Sequence, residues 1–563
     1  MSRLSIETPG RAQTVLGNLH KDMDRRISAS PVGLCPVDMS LNFLRLCHAQ
    51  TCGKCVPCRV GLSQLAVLIE QVLDRTADLS TIDLIENTAQ VIADSADCAI
   101  GYEAAHMVLR GVRGFREDYE EHVLHGRCIC GLSHPVPCVS ACPAHVDIPG
   151  YIALIRQGRY GDAVKLIRKD NPFPAACAYV CEHPCESQCR RRMVDDAINI
   201  CGLKRFAVDN AETELAGCKA PATSKTVAVI GGGPGGLTAA YYLALMGHQV
   251  TVYEQRAKLG GMLRYGIPDY RLPQYVLDRD IEHILSAGIE VHTNVSVGTD
   301  VEISRIQQQY DAVYISIGAH ADKKLGIEGE DSENVISAVH LLRGIGDGHV
   351  PDFTGKRVCI IGGGNVSMDA TRTARRLGAQ SVTCVYRRRI DDMTALHEEI
   401  EEAMAEGCQI LPLQAPSRIE ADSEGKVCAL WTRPQMIGPY GRDGRPSPQN
   451  AGKPEFRIAC DYVIVAIGQS IDSKPFEAIG ISTNRGSIVA EPSAAVPGVN
   501  NVFAGGDAVS GPATVIRAVA AGKVAADNID AFLGCGNSAR SDDQHPRLRP
   551  RESEKHSPGR VQR

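Results

Sequence analysis

Aromatic residues are scarce in this 563-residue chain, at 5% with a single Trp, and no charge sign dominates, with 60 Lys and Arg against 66 Asp and Glu for a formal net charge of −6. That near-balance gives no global basic field for nucleic acid or an anionic membrane, so neither is expected as a partner. No uncharged apolar run reaches the roughly 18–20 residues of a membrane span, and Met1 to Arg26 lacks the apolar stretch of an export signal. The expectation is a cytoplasmic chain without membrane insertion. After residue 220 no two cysteines stand in C-x-x-C or C-x-x-x-x-C spacing, which disfavours a thiol–disulfide exchange centre there. What is abundant is glycine, 54 residues, within a 44% hydrophobic composition that suits an α/β protein built on glycine turns. At roughly 100–200 residues per domain, the length allows three to five domains.

Cysteine is the other abundant feature. Of 22 cysteines, 16 precede residue 220. Disulfides are rare in an unexported chain, so this crowding argues for metal or cluster ligation. The later six, Cys359, Cys384, Cys408, Cys428, Cys460 and Cys535, are scattered among apolar neighbours and read as small core residues.

Apolar spacing of three and four predicts helices over 62–73, 82–93 and 103–112, then over 148–156 and 160–168. The texture changes at the polar linker 219–224. From there to about Leu533 strands and helices alternate, as in a parallel sheet with crossover helices. The segment from Gly536 onward is charged, nearly devoid of apolar residues and expected to be disordered.

Two glycine motifs follow apolar strands. Val227–Ile230 runs into Gly231-Gly232-Gly233-Pro234-Gly235-Gly236, a G-x-G-x-x-G turn from strand to helix where amides and the helix N-terminus meet a pyrophosphate. A second strand follows at 249–253, and Glu254, 18 residues beyond Gly236, stands where a carboxylate binds a ribose hydroxyl. The other unit is Gly362-Gly363-Gly364-Asn365-Val366-Ser367, with Ser367 in place of the last glycine, expected to loosen the helix–strand packing slightly. Its second strand ends not in an acid but in Arg387-Arg388-Arg389, which would accept a 2′-phosphate and so favour NADP over NAD; Gly362, Gly364, Asn365, Arg387 and Arg388 form this expected nucleotide set.

Two such units, one inserted within the other, resemble the two-dinucleotide-binding-domain flavoproteins, a resemblance that implies FAD at the first and a nicotinamide nucleotide at the second. The expected FAD set is Gly231, Gly233, Gly236, Glu254 and Gly261, with Gly506, Asp507 and Thr514 at a later turn into a helix.

Upstream, Cys52-Gly53-Lys54-Cys55-Val56-Pro57-Cys58 places three thiolates on one loop, and Cys98 follows a helical stretch as a fourth ligand. Four cysteines would also close a structural zinc site, but three in a row favour a [4Fe–4S] cluster. Thr51 to Gly61 resembles the cluster-binding end of the NADH-oxidising flavoprotein subunit of respiratory complex I and related hydrogenases; the glycine-rich FMN region of that family is missing here. A second segment offers Cys128, Cys130, Cys138 and Cys142, then Cys177, Cys181, Cys185 and Cys189, enough for two more clusters. With Asn171-Pro172-Phe173-Pro174, Cys181-Glu182-His183-Pro184-Cys185-Glu186 and Gly266-Ile267-Pro268-Asp269-Tyr270-Arg271-Leu272-Pro273, it resembles the small subunit of NADPH-dependent glutamate synthase, the large subunit of bifurcating ferredoxin:NADP transhydrogenases and the N-terminal half of dihydropyrimidine dehydrogenase. The chain departs from that family twice. Cys128-Ile129-Cys130 is spaced unlike the family's opening pair, and Lys204 stands where the family places a Gln or Glu ligand, leaving Cys201 or Cys177 to complete the set or simply to pack.

The expected organisation is therefore an α/β flavoprotein with a FAD domain (219–345 and 476–535) interrupted by an NADP domain (346–475), preceded by helical iron–sulfur domains over 1–126 and 127–218. The expected cofactors are FAD, NADP(H) and three [4Fe–4S] clusters. Partners would be other redox subunits of a hetero-oligomeric complex, or a ferredoxin. Three roles stay open: a bifurcating or simple NADPH-linked redox subunit, the electron-input subunit of a glutamate synthase or pyrimidine reductase, and a docking and relay subunit of a hydrogenase or formate dehydrogenase assembly. No acid–base catalyst is expected, because such a protein positions cofactors and tunes their potentials.

Overall fold

The computed structural model describes residues 15–19, 35–125, 136–212, 219–440 and 445–534. The described residues divide into two compact units, one comprising those up to Ala141 together with Cys185–Ile198, the other Cys142–Pro184 and the described residues from Asn199 onward. In the first, helices Pro36–Ala49, Leu62–Leu73, Leu79–Ser95 and Ala99–Gly114 turn their apolar stripes inward. Leu41, Leu65, Ile69, Ile85, Val108 and Val112 belong to one buried core there. Asp78 caps the third of these helices, accepting from the Thr81 amide at 2.9 Å.

In the second unit the anticipated alternation folds into two parallel sheets of the same design. The first orders its strands Val502–Ala504, Ala312–Ile315, Thr226–Ile230, Gln249–Glu254 and Glu290–Thr293. The second orders Val335–Ser337, Tyr462–Val465, Arg357–Ile361, Ser381–Val385 and Gln409–Leu411. In each, the strand that feeds a glycine motif sits centrally, with the next strand in sequence on one side and a later strand on the other. Strand order reverses there, which opens a crevice at the carboxyl ends of the strands.

One element escapes the sequence pattern. Strands Gln414–Ala421, Val427–Tyr440, Pro446–Asn450 and Phe456–Ala459 form an antiparallel sheet inserted before the last strand of the second parallel sheet. No helix among the described residues is long and apolar enough to cross a membrane.

Candidate cofactor sites

At the first motif, Gly231 has φ +109°, and a Cβ there would collide with the Ser316 carbonyl oxygen of the adjacent strand connection. A Cβ on Gly236 would strike the Gly231 carbonyl, so the helix Pro234–Leu245 comes close to its strand only because this residue is glycine. Gly233 is the N-cap. Glu254, 6% exposed, accepts from the Gly232 amide through Oε2 and from the Arg256 amide through Oε1, both at 2.8 Å. Burial raises its pKa, and those amides oppose the rise. The Gly260 amide donates to the Gly232 carbonyl at 2.8 Å, and a Cβ on Gly261 would stand 2.8 Å from the Gly233 Cα. The two glycine turns thus approach one another backbone to backbone, as residues without a Cβ allow, forming a glycine cradle.

The later turn comes to the same sheet, following strand Val502–Ala504. Gly506 has φ +66° and caps the short helix beginning at Asp507, and Thr514 caps the long helix Val515–Phe532. Burial pushes the Asp507 carboxyl up to about 6, against an opposing hydrogen bond from the Ala513 amide. The cradle, this carboxyl and the N-terminus of the long helix all belong to the sheet's carboxyl edge, and the residues present fit a flavin dinucleotide.

The second motif repeats the device. Gly362 has φ +153°, and a Cβ on Gly363 would collide with the Tyr386 ring. Ser367 does not loosen the packing as anticipated: it is fully buried, its hydroxyl donating to the Ala466 carbonyl and accepting from the Gly364 amide, both at 3.3 Å. Asn365 is already engaged, its Oδ1 accepting from the Leu396 amide at 2.9 Å and its Nδ2 donating to Glu182 at 2.8 Å. The three arginines separate. Arg387 is exposed, Arg388 is 9% exposed with Nε donating to the Pro446 carbonyl at 2.8 Å, and Arg389 pairs with Asp392 at 2.8 and 2.9 Å.

In the first unit the N-terminal thiols lie within electrostatic reach of one another, although among the described residues no three of them are closed into a metal-holding group. Cys52 is exposed, Cys55 half-buried, Cys58 2% exposed on a π-turn at Pro57–Gly61, and Cys98 is the N-cap of helix Ala99–Gly114. The Cys58 thiol is pushed up to about 12, first by burial and then by Cys55, Cys98 and Cys52, so all four sulfurs share one electrostatic neighbourhood. The Cys58 backbone amide holds Cys55 below the ordinary thiol value. A Cβ on Gly101 would stand 2.6 Å from the Cys58 sulfur, so glycine there leaves that thiol its room. This donor set suits a four-iron cluster.

Of the second set, Cys128 and Cys130 lie outside the described residues. Cys138 sits on helix Pro137–Ala141, Cys185 on helix Pro184–Ser187, and Cys189 caps the turn Arg190–Met193. Cys142 is 8% exposed. In the second unit Cys181 ends helix Pro174–Val180, which carries the fully buried Cys177. The Cys201 thiol lies 3.5 Å from the Ala178 carbonyl and 3.8 Å from that of Cys177. Burial works against the Lys204 ammonium, yet the Cys181, Cys177 and Cys201 sulfurs hold its pKa above the ordinary lysine value. Burial also raises the Cys177 thiol.

Sequence reasoning missed the charged lattice beneath the second motif. Arg271 meets Asp369 and Glu399, and Arg372 meets Glu399 at 2.7 Å and Glu406 at 2.9 Å. The Gly266–Pro273 motif supplied half of that signal; the carboxylate half lies 98 residues away. Of the later cysteines, Cys359, Cys384, Cys408 and Cys460 are buried as core, Cys428 is half-buried, and Cys535 lies outside the described residues.

Residues 225–522 match the family model of pyridine nucleotide-disulphide oxidoreductases, 38–122 that of the NADH-ubiquinone oxidoreductase-F iron-sulfur binding region, and 116–215 that of dihydropyrimidine dehydrogenase domain II, 4Fe-4S cluster. The chain is 34% identical to the beta subunit of an NADP(+)-dependent formate dehydrogenase of Moorella thermoacetica, over 88% of its own length and 80% of that protein. It is 33% identical to the beta subunit of an NADPH-Fe(3+) oxidoreductase of Geobacter sulfurreducens, over 90% and 80%. With the small chain of the NADPH glutamate synthase of Escherichia coli it shares 32% identity over 72% of its length and 90% of the relative. Two glycine cradles on twin parallel sheets, preceded by two iron–sulfur-binding regions, thus make the chain a member of the pyridine nucleotide-disulphide oxidoreductase family, and within it an NAD(P)H-dependent flavo-iron–sulfur enzyme.

Proposed function

We propose that the chain is the NADPH-linked subunit of a hetero-oligomeric redox complex, exchanging electrons between the nicotinamide nucleotide and a partner subunit. The repeated cradle carries this reading: two strand–glycine–helix turns on two sheets of one compact unit give separate places for a flavin and for its nicotinamide reductant. FAD, when bound, supplies the exchange between a two-electron hydride and the single electrons that iron–sulfur centres accept. Gly231, Gly233, Gly236 and Gly261 would leave room for its pyrophosphate, Glu254 would brace the loop through the Gly232 amide, and Asp507 with the helix beginning at Val515 would face its ring end. Gly362 and Gly364 would admit the second pyrophosphate. Arg387, the exposed guanidinium of the triplet, would meet the 2′-phosphate, while Arg388 shapes the floor through Pro446.

Three four-iron clusters follow from the thiols. Cys52, Cys55, Cys58 and Cys98 would hold one; the thiols of the second cysteine segment would supply two more, and of the two further candidates Cys201 is the more open, half-buried, whereas Cys177 is packed into the core. Two relatives align over 88 and 90% of the chain, whereas the glutamate synthase small chain aligns over only 72%. This favours partners of the formate dehydrogenase or metal-reductase type over a glutamate synthase, with a ferredoxin as the small carrier that the N-terminal centre would serve.

The test is anaerobic purification with flavin, iron and sulfide assayed, followed by mixing with NADPH. FAD near one per chain and rapid bleaching by NADPH are expected. A fully folded chain that binds no flavin, or whose flavin NADPH leaves oxidised, overturns the reading.

A further inference from the structure

Lys204 lies on helix Ile200–Asn210, on the face that also buries Ile200, Ala207 and Val208, and is only 9% exposed. Lysine is almost never fully buried without a partner, because removing an ammonium from water costs several kcal/mol even after relaxation. Among the described residues no carboxylate is ion-paired with it. Its helix packs against helices Pro174–Val180 and Ile148–Arg156, and the sulfurs of Cys181, Cys177 and Cys201 and the Tyr151 hydroxyl act on its charge. These come from three helices. Tyr151 donates to the Ile200 carbonyl at 3.3 Å, Cys201 sits one turn before Lys204, and helix Pro174–Val180 brings Cys177 and Cys181 across. Asp280, fully buried, accepts from the Ala176 amide at 2.8 Å and pairs with Arg168 at 4.0 Å.

A cation buried against neutral thiols would lose its hydration and gain little in return. Against thiolates it is compensated, and thiolates persist in such surroundings when iron holds them. The ammonium itself has no lone pair to offer iron. We propose that Lys204 is the fixed counter-charge of the iron–sulfur centre ligated by Cys181, a positioning residue that raises the reduction potential of that centre. The argument is electrostatic. Reduction adds one negative charge to the centre, and a fixed positive charge in a poorly polarisable interior stabilises the reduced form more than the oxidised one. A neutral side chain at the same place would leave the centre harder to reduce. The proposal rests on the reading that the Cys181 set holds a [4Fe–4S] cluster.

The test uses the full chain, purified anaerobically as wild type, Lys204→Met and Lys204→Arg, with iron and sulfide assayed, and titrated potentiometrically while reduced centres are followed by EPR. In Lys204→Met, the reduction equilibrium of one centre should shift at least tenfold toward the oxidised form, a fall of 59 mV for a one-electron couple. Lys204→Arg should stay near wild type. The N-terminal centre, identified as the signal lost in Cys55→Ser, should not move in either and serves as the internal reference. A fully loaded Lys204→Met whose midpoints all equal those of wild type overturns the proposal, as does an Arg variant that shifts as far as the Met variant. If Lys204→Met fails to load the centre, the Arg variant decides: loading at the wild-type potential supports a counter-charge, and failure to load shows that the shape of lysine mattered instead. Wild-type protein containing iron only for the N-terminal centre would take down the underlying reading and the proposal together, an outcome distinct from an unmoved midpoint in loaded protein.

Discussion

Arg271 places one guanidinium nitrogen 2.8 and 2.9 Å from the two carboxylate oxygens of Asp369, joining the loop after the first glycine cradle to the helix that opens from the second. Both side chains are nearly buried, at 10% and 3% exposure. Arg271 also reaches Glu399 at 2.9 Å, and Arg372, which shares Glu399, lies with Arg376 over the Tyr270 ring at 4.9 and 4.0 Å. Paired charges therefore tie the two glycine cradles to one another.

Breaking one side of such a pair leaves a buried charge without compensation, at about 3–5 kcal/mol, whereas replacing both sides with apolar groups costs much less. Asp369→Leu or Arg271→Met alone should lower the unfolding free energy by about that amount, and the double variant should recover part of the loss. Denaturant unfolding of the four proteins in a double-mutant cycle measures the coupling. Additive losses would show that the contact contributes nothing as a pair.

The nucleotide preference should depend on Arg387 alone among the three arginines. A charge-assisted hydrogen bond to the 2′-phosphate contributes about 1.5–3 kcal/mol, so Arg387→Ala should weaken NADPH use roughly tenfold or more at about 1.4 kcal/mol per decade, with NADH use unchanged. Arg388→Ala should impair both nucleotides equally, because its Nε supports the Pro446 carbonyl from within the fold. Stopped-flow bleaching of the flavin by each nucleotide separates the outcomes. A wild-type preference for NADH would refute the assignment.

The glycine loops, Glu254 and the Cys52-Cys55-Cys58 loop were legible because each is a local pattern: a strand, a turn and a helix start within a few residues, or ligands on one loop. Arg388 was not. Its fate depends on Pro446, 58 residues on, in an antiparallel sheet whose strands carry no clear alternation of apolar residues, the second strand running through Pro434 and Gly438. Asp369 looked like an ordinary helical acid until the fold brought Arg271 to it. Ser367, a mismatch to the glycine pattern, proved compatible because its hydroxyl finds the Ala466 carbonyl and the Gly364 amide. Pairings at long range are fixed by sheet register and helix docking, which no window of sequence contains.

Cys55→Ser should remove one iron–sulfur centre and leave the rest. Its sulfur belongs to the first compact unit, whereas both glycine cradles belong to the second. Iron should fall by about four per chain, the content of one [4Fe–4S] cluster, and the flavin should bleach with NADPH at the wild-type rate. Loss of flavin reduction in this variant would show that the two units do not act separately.

Asp280 makes stability depend on pH in an unusual direction. It is fully buried on helix Gln274–Leu285, and burial pushes its carboxyl from 3.8 up to about 7, against opposing contributions from the Ala176 amide, Arg168 and Arg279. The folded chain therefore keeps this proton over a range in which the unfolded chain has lost it. Stability from the protonated group is fully present below about pH 4 and declines as pH rises toward 7, by up to about 4 kcal/mol at 1.36 kcal/mol per pKa unit. Asp280→Asn keeps an oxygen for the Ala176 amide and cannot ionise, so it should raise the melting temperature at pH 8 and bring less than half that gain at pH 5. The difference between the two melting curves across that range isolates this group from the other carboxylates of the chain. A variant that melts below wild type at pH 8 would show that the Asp280 carboxylate is held charged, with Arg168 as its partner.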